Sequence, residues 1–266
     1  MTAASPTPAG PGVTPGGPGP APAVPLAGDG WGGLLIRLAD DDLLTGHVLT
    51  SVAGWGPELE INIALSSMGQ DEIGHARRLY ALVIPDSADI ERFVYERPAA
   101  DFRASPLART YPREWEALLA RQYLGETADA ARAAVLSQTT RAGFAALLQE
   151  MGHEHRYHLD FWSTWLAATS GRSAAARQRV QNALDQMWPL AAVSFLPDSP
   201  DATQSALGLP GGALEAARRD WAASVQQACE PLGLRVREGP VDPAQDQLGV
   251  MLGEMRYVYA TAPGSW

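Results

Sequence analysis

Across 266 residues the chain has one cysteine, Cys229. A single thiol excludes an intramolecular disulfide and any thiolate-based zinc or iron–sulfur site, and it makes a reducing cytoplasm the expected location. Long apolar runs are also missing. No segment approaches the roughly 20 apolar residues that a membrane span needs. Positive charge is scarce: 20 basic residues face 30 acidic ones, for a net charge of -10. A general nucleic-acid binder would need a basic footprint that this balance does not supply. Gly208-Leu209-Pro210-Gly211-Gly212 has neither a Walker lysine nor a preceding strand. No serine sits on a strand–turn–helix elbow, and alternating patterns of strand length do not recur.

What remains is helix after helix. Residues 1–28 carry no charged side chain and are broken by Pro6, Pro8, Pro11 and Pro15. They lack the basic start and unbroken apolar core of a signal peptide and are expected to be a disordered Pro/Gly/Ala-rich tail. From residue 29 to the end, one helical domain is expected. Helices are predicted over about 30–52, 57–83, 87–94, 112–138, 140–168, 173–193, 212–230 and 242–260, with a short extended stretch at Leu234–Arg237. The four long helices within 30–168 suggest two hairpins forming an all-α four-helix bundle, with additional C-terminal helices over 173–260.

The inward stripes of these helices are interrupted by ionisable residues. Segment 57–83 places Ile61, Leu65, Met68, Glu72, His75, Leu79 and Leu82 at steps of three and four, the spacing of a bundle seam. Segment 140–168 does the same with Phe144, Leu148, Met151, His155, His158, Trp162 and Trp165. The first helix adds Asp42 to its stripe and the 112–138 helix adds Glu126. Asp42 precedes Glu72 by 30 residues and Glu126 precedes His155 by 29, so two hairpins of nearly equal span bring the pairs to one level.

Six such groups in an apolar core must pair or bind metal, because an isolated buried charge is costly. Two Glu-x-x-His helices with a carboxylate from each of two others hold iron or manganese pairs in four-helix bundles. Oxygen and imidazole donors without thiolate suit those metals better than zinc. Two outcomes stand open: a metal centre on Asp42, Glu72, His75, Glu126 and His158 completed by Glu154 or His155, or a metal-free cluster in which these groups satisfy one another. His47, His153 and Glu150 fall off the seam. Asp40 and Asp41 are expected on the solvated side of the first helix, and Trp162, Trp165 and Trp188 in the core.

Pro57-Glu58-Leu59-Glu60-Ile61-Asn62-Ile63-Ala64-Leu65, Arg156-Tyr157-His158-Leu159, Ala183-Leu184-Asp185-Gln186-Met187-Trp188-Pro189 and the ending Pro263-Gly264-Ser265-Trp266 resemble the C-type subunits of phenylacetyl-CoA epoxidase, the PaaC-type phenylacetate-degradation proteins. The resemblance runs from about residue 30 to the C-terminus. It implies a ferritin-like bundle and an accessory role in a heteromer with the homologous catalytic A-type subunit. That complex uses di-iron, oxygen and a separate reductase to epoxidise the ring of phenylacetyl-CoA. C-type chains lack a complete di-iron site. Here Gln70-Asp71-Glu72-Ile73-Gly74-His75, Asp42 and Glu126 follow the catalytic subunit's pattern instead, while His155 stands where that pattern has a glutamate, preceded by Glu154. A ferritin-like di-metal oxidase in its own right is the rival expectation. An iron-storing cage is a weaker one, disfavoured by the C-terminal helices.

Overall fold

The structure is a computed structural model that describes residues 30–261, apart from the side chains of residues 87 and 88. The expected tail at 1–28 and the ending from residue 262 onward lie outside the described residues. Helix α1 (Trp31–Ser51) and α2 (Leu59–Ala81) form the first hairpin. Its turn is closed by Asn62, whose side-chain oxygen accepts from the backbone N–H groups of Gly54 and Gly56 at 2.8 Å each. Gly54 has φ 109°, a conformation that a side chain would strain.

Midway along the hairpin the two backbones nearly touch. A Cβ on Gly46 would stand 2.8 Å from the Gly69 carbonyl oxygen. Gly46 lies one turn beyond Asp42 and Gly69 three residues before Glu72, so this close approach sets how near those carboxylates come. After α3 (Ser87–Glu96), α4 (Trp115–Leu136) and α5 (Ala142–Gly171) form the second hairpin, and α2 meets α5 across the bundle. Helix α6 (Ala174–Ser194) packs on α4 and α5, with the Ser173 hydroxyl capping its first turn through the Ala176 N–H. Then follow α7 (Pro200–Leu207), α8 (Ala213–Cys229) against α4, and α9 (Leu248–Thr261) against α1 and α3. The architecture is the expected all-α ferritin-like bundle. No described helix is long and apolar enough to cross a membrane.

Several local expectations fail for identifiable reasons. Sequence patterning does not anticipate α7, because Pro197 and Pro200 read as a stop. Pro200 instead occupies the first helical turn, where its missing N–H is not needed. Leu234–Arg237 forms no strand: Arg235 bonds through both its N–H and its carbonyl to the side chain of Gln181. Helix α9 starts at Leu248 rather than 242, because Asp242 caps a separate 3₁₀ turn, Pro243–Gln245. Leu82 is exposed, since α2 ends at Ala81 before the stripe reaches it.

The largest correction concerns Asp40 and Asp41, which are buried rather than solvated. The chain after α3 folds back over α1 and brings donors with it. Arg97 and the Tyr80 hydroxyl both donate to Asp40, which also accepts the Arg103 N–H at 2.6 Å. Asp41 accepts the Ser105 N–H at 2.6 Å, with the Arg37 and Arg132 charges nearby. Trp162 and Trp188 are buried and Trp165 half-buried, in line with their expected place in the core.

Candidate metal centre

Four helices each deliver a carboxylate or an imidazole to one level of the bundle. Donor atoms of Asp42, Glu72 and His75 lie within 4.8 Å of one another, as do those of Glu72, Glu126, His155 and His158. Glu72 belongs to both groups and joins them. His158 Nδ1 lies 3.3 Å from Glu72 Oε1 and 3.4 Å from Glu126 Oε1, while His155 Nδ1 lies 3.1 Å from Glu126 Oε2. His75 Nδ1 is 3.9 Å from Glu72 Oε2. A cavity of about 30 Å³ adjoins the cluster, lined among others by Asp42, Glu72, Glu126, Thr45 and Arg121. That is room for one or two atoms of water size.

The two central imidazoles are oriented alike. His75 Nε2 lies 2.5 Å from Glu154 Oε2, and His158 Nε2 lies 3.2 Å from Asp71 Oδ2. A carboxylate only accepts, so each Nε2 carries a proton and each Nδ1 faces the cluster. Imidazole ligands of metals characteristically donate their outer N–H to a carboxylate in this way. Glu154 therefore stands behind His75, with Arg78 at 3.4 Å, and is not among the converging donors. Asp71, a residue that sequence reasoning passes over, plays the matching part for His158. Its one signal is its place immediately before Glu72, which gives no hint that it reaches across to α5.

Burial and neighbouring charge pull these groups apart. Burial raises the Asp42 carboxyl well above its ordinary range, and the charges of Glu72 and Asp129 push the same way. Burial would also raise Glu72, but contacts with His158 and His75 outweigh it and hold this carboxyl far below its usual range. Burial opposes charging His155, yet the Glu126 hydrogen bond and charge push it up to about 10. The same opposition at His158 ends at about 11, through Glu126 and Glu72. Arg121, fully buried on the cavity wall, is lowered by burial to about 10. It donates to Thr110 Oγ1 at 3.1 Å and to the Ala108 carbonyl at 3.0 Å.

Three buried atoms of the cluster make no directed hydrogen bond to any described residue: Asp42 Oδ2, His75 Nδ1 and His158 Nδ1. Unmet polar atoms are expensive inside a protein, and here all three belong to oxygen and imidazole donors converging on one place. The residues present fit a divalent metal such as iron or manganese. Of the off-seam residues, His153 is exposed, Glu150 pairs with Arg78 at the surface, and His47 reaches Glu254 of α9 at 2.9 Å.

Fold and site together define a ferritin-like helical bundle of the kind that houses paired metal ions, with one carboxylate position changed to His155. The chain belongs to the family described as Phenylacetic acid catabolic protein, which matches residues 32–266. It is 28% identical over 238 residues to the C-type subunit of 1,2-phenylacetyl-CoA epoxidase from Escherichia coli (strain K12), covering 86% of this chain and 96% of that one.

Proposed function

We propose that the chain is the accessory C-type subunit of a multicomponent, cytoplasmic phenylacetyl-CoA oxygenase, supporting a homologous catalytic A-type subunit. The observation that carries this is His155. Where the di-metal pattern needs a fourth carboxylate, α5 offers an imidazole already bound to Glu126 at 3.1 Å. The likeness to a C-type epoxidase subunit along nearly its whole length supports the same reading. Trp55 in the α1–α2 turn and Leu59 and Ile63 at the start of α2 are exposed and offer apolar surface for helix contact with a partner. An obligate heteromer of this kind buries more than the roughly 1,600 Å² of a standard interface.

The retained donors still hold a metal on this reading. Asp42, Glu72 and His75 are the ligand candidates, with Glu126 and His158 facing them from α4 and α5. Asp71 and Glu154 fix the two imidazoles, and the apolar side chains above and below exclude water. Bound iron would supply redox chemistry with dioxygen, and Asp42 of α1 and Glu72 of α2 would be tied through it. The test is co-expression with the A-type subunit of the same organism. A stable complex that turns over phenylacetyl-CoA, beside an inert purified chain, supports the proposal, and failure to co-purify refutes it. A second reading, an oxidase in its own right, draws on the three unmet donor atoms. Dioxygen uptake by the iron-loaded chain alone would favour it, and none would remove it.

A further inference from the structure

The two groups of donors are not equivalent. In one, Asp42 Oδ2 and His75 Nδ1 are buried and bonded to nothing among the described residues. In the other, His158 Nδ1 is likewise without a directed hydrogen bond, but Glu126 has His155 at 3.1 Å and His158 at 3.4 Å against its two oxygens. The ring of His155 lies 4.9 Å from that of His75, centroid to centroid.

We infer that this centre takes a single divalent ion, on Asp42, Glu72 and His75, and that His155 fills the place a second ion would need. The inference rests on the cluster being a metal centre at all. Charge supports it. Paired-ion bundles supply four carboxylates for two divalent ions. This chain supplies three, Asp42, Glu72 and Glu126, and adds the buried Arg121 guanidinium on the cavity wall. Two divalent cations, with Arg121, would bring five positive charges against those three carboxylates. That would leave net positive charge in a desolvated core, where uncompensated charge is most costly. Geometry agrees, because His155 Nδ1 already covers Glu126 Oε2 at 3.1 Å, an oxygen that a second ion would need.

The test uses the full chain, stripped with a chelator, loaded anaerobically with Mn(II), desalted and analysed for metal. One manganese per chain is expected, with the hyperfine-split electron paramagnetic resonance spectrum of an isolated ion. Glu126→Gln should keep that ion and Asp42→Asn should lose it. His155→Glu should raise the content to two, with the spectrum of a coupled pair. Thermal unfolding with and without Mn(II) guards against misfolding: a folded Asp42→Asn chain should show no Mn(II)-dependent rise in Tm. Two ions in the unaltered chain overturn the inference. So does loss of the ion in Glu126→Gln while Asp42→Asn retains it, or a His155→Glu chain that stays at one. No manganese in any variant overturns the metal centre itself, and with it this inference, while leaving the accessory role to its co-purification test.

Discussion

The two hairpins of the bundle build their halves of the centre from the same plan and finish them differently. Hairpin α1–α2 contributes Asp42, Glu72 and His75; hairpin α4–α5 contributes Glu126, His155 and His158. In the second half the imidazoles stand within 3.4 Å of Glu126, one against each of its oxygens, and only His158 Nδ1 lacks a directed hydrogen bond. In the first half Asp42 Oδ2 and His75 Nδ1 face inward without a hydrogen bond to any described residue. The difference traces to one side chain. A carboxylate at 155 would add negative charge for a cation to answer, whereas an imidazole answers Glu126 itself. The second half is nearly satisfied by protein, whereas the first keeps two donor atoms open for a guest.

The sharpest way to break this contrast is to remove Glu126. In the metal-free chain, Glu126→Ala strands two buried imidazoles, which should cost about 3–5 kcal/mol, the loss typical of breaking a buried pair, read by urea unfolding. A loss below about 1 kcal/mol, the scale of an ordinary surface ion pair, would mean that the α4–α5 half is not self-satisfied. Next in size are the carboxylates behind the imidazoles. Glu154→Gln should weaken Mn(II) binding about 10–100-fold, as removal of such a partner does, measured by competition with a chelator. Asp71→Asn should weaken it less, because it acts on His158 in the half that the ion does not enter. Equal effects would erase the distinction between the halves.

The pH dependence of the metal-free chain gives a smaller effect of fixed sign. His155 and His158 bind their protons more tightly when folded, at about 10 and about 11, than at the ordinary histidine value of 6.5. Their stabilisation is complete below 6.5 and drains away as pH rises through those folded values. The urea midpoint should therefore fall steadily from about pH 7 to about pH 10, and His155→Gln should flatten that slope. A rising midpoint over this range would contradict the assignment. The smallest effect belongs to Asp42→Asn without metal. Asp42 Oδ2 has no partner to lose and its carboxyl is already raised by burial, so stability should hold or increase.

Much of this is legible in the sequence, and the limits are instructive. Glu72, His75, Glu126 and His158 stand out because local helical spacing puts them on apolar seams, and Asp42 because two hairpins of equal span align their levels. Asp40 and Asp41 are misplaced by pattern alone because their burial depends on Arg97, Arg103 and Ser105, some sixty residues along the chain. No periodicity of α1 encodes those partners. Glu154 reads as a substitute ligand for a similar reason. Its helix position shows that it points away from the seam, but only the packing of α2 on α5 reveals that it meets the back of His75 at 2.5 Å. Local pattern identifies the groups that face inward, whereas the groups behind them are set by contacts between elements.

The most direct measurement is a crystal of the chain soaked in Mn(II), with data collected above and below the manganese absorption edge. One anomalous peak among Asp42 Oδ2, Glu72 and His75 Nδ1, with His155 still bound to Glu126, is the predicted result. A peak between Glu126 and His158, or two peaks bridged by Glu72, would contradict it.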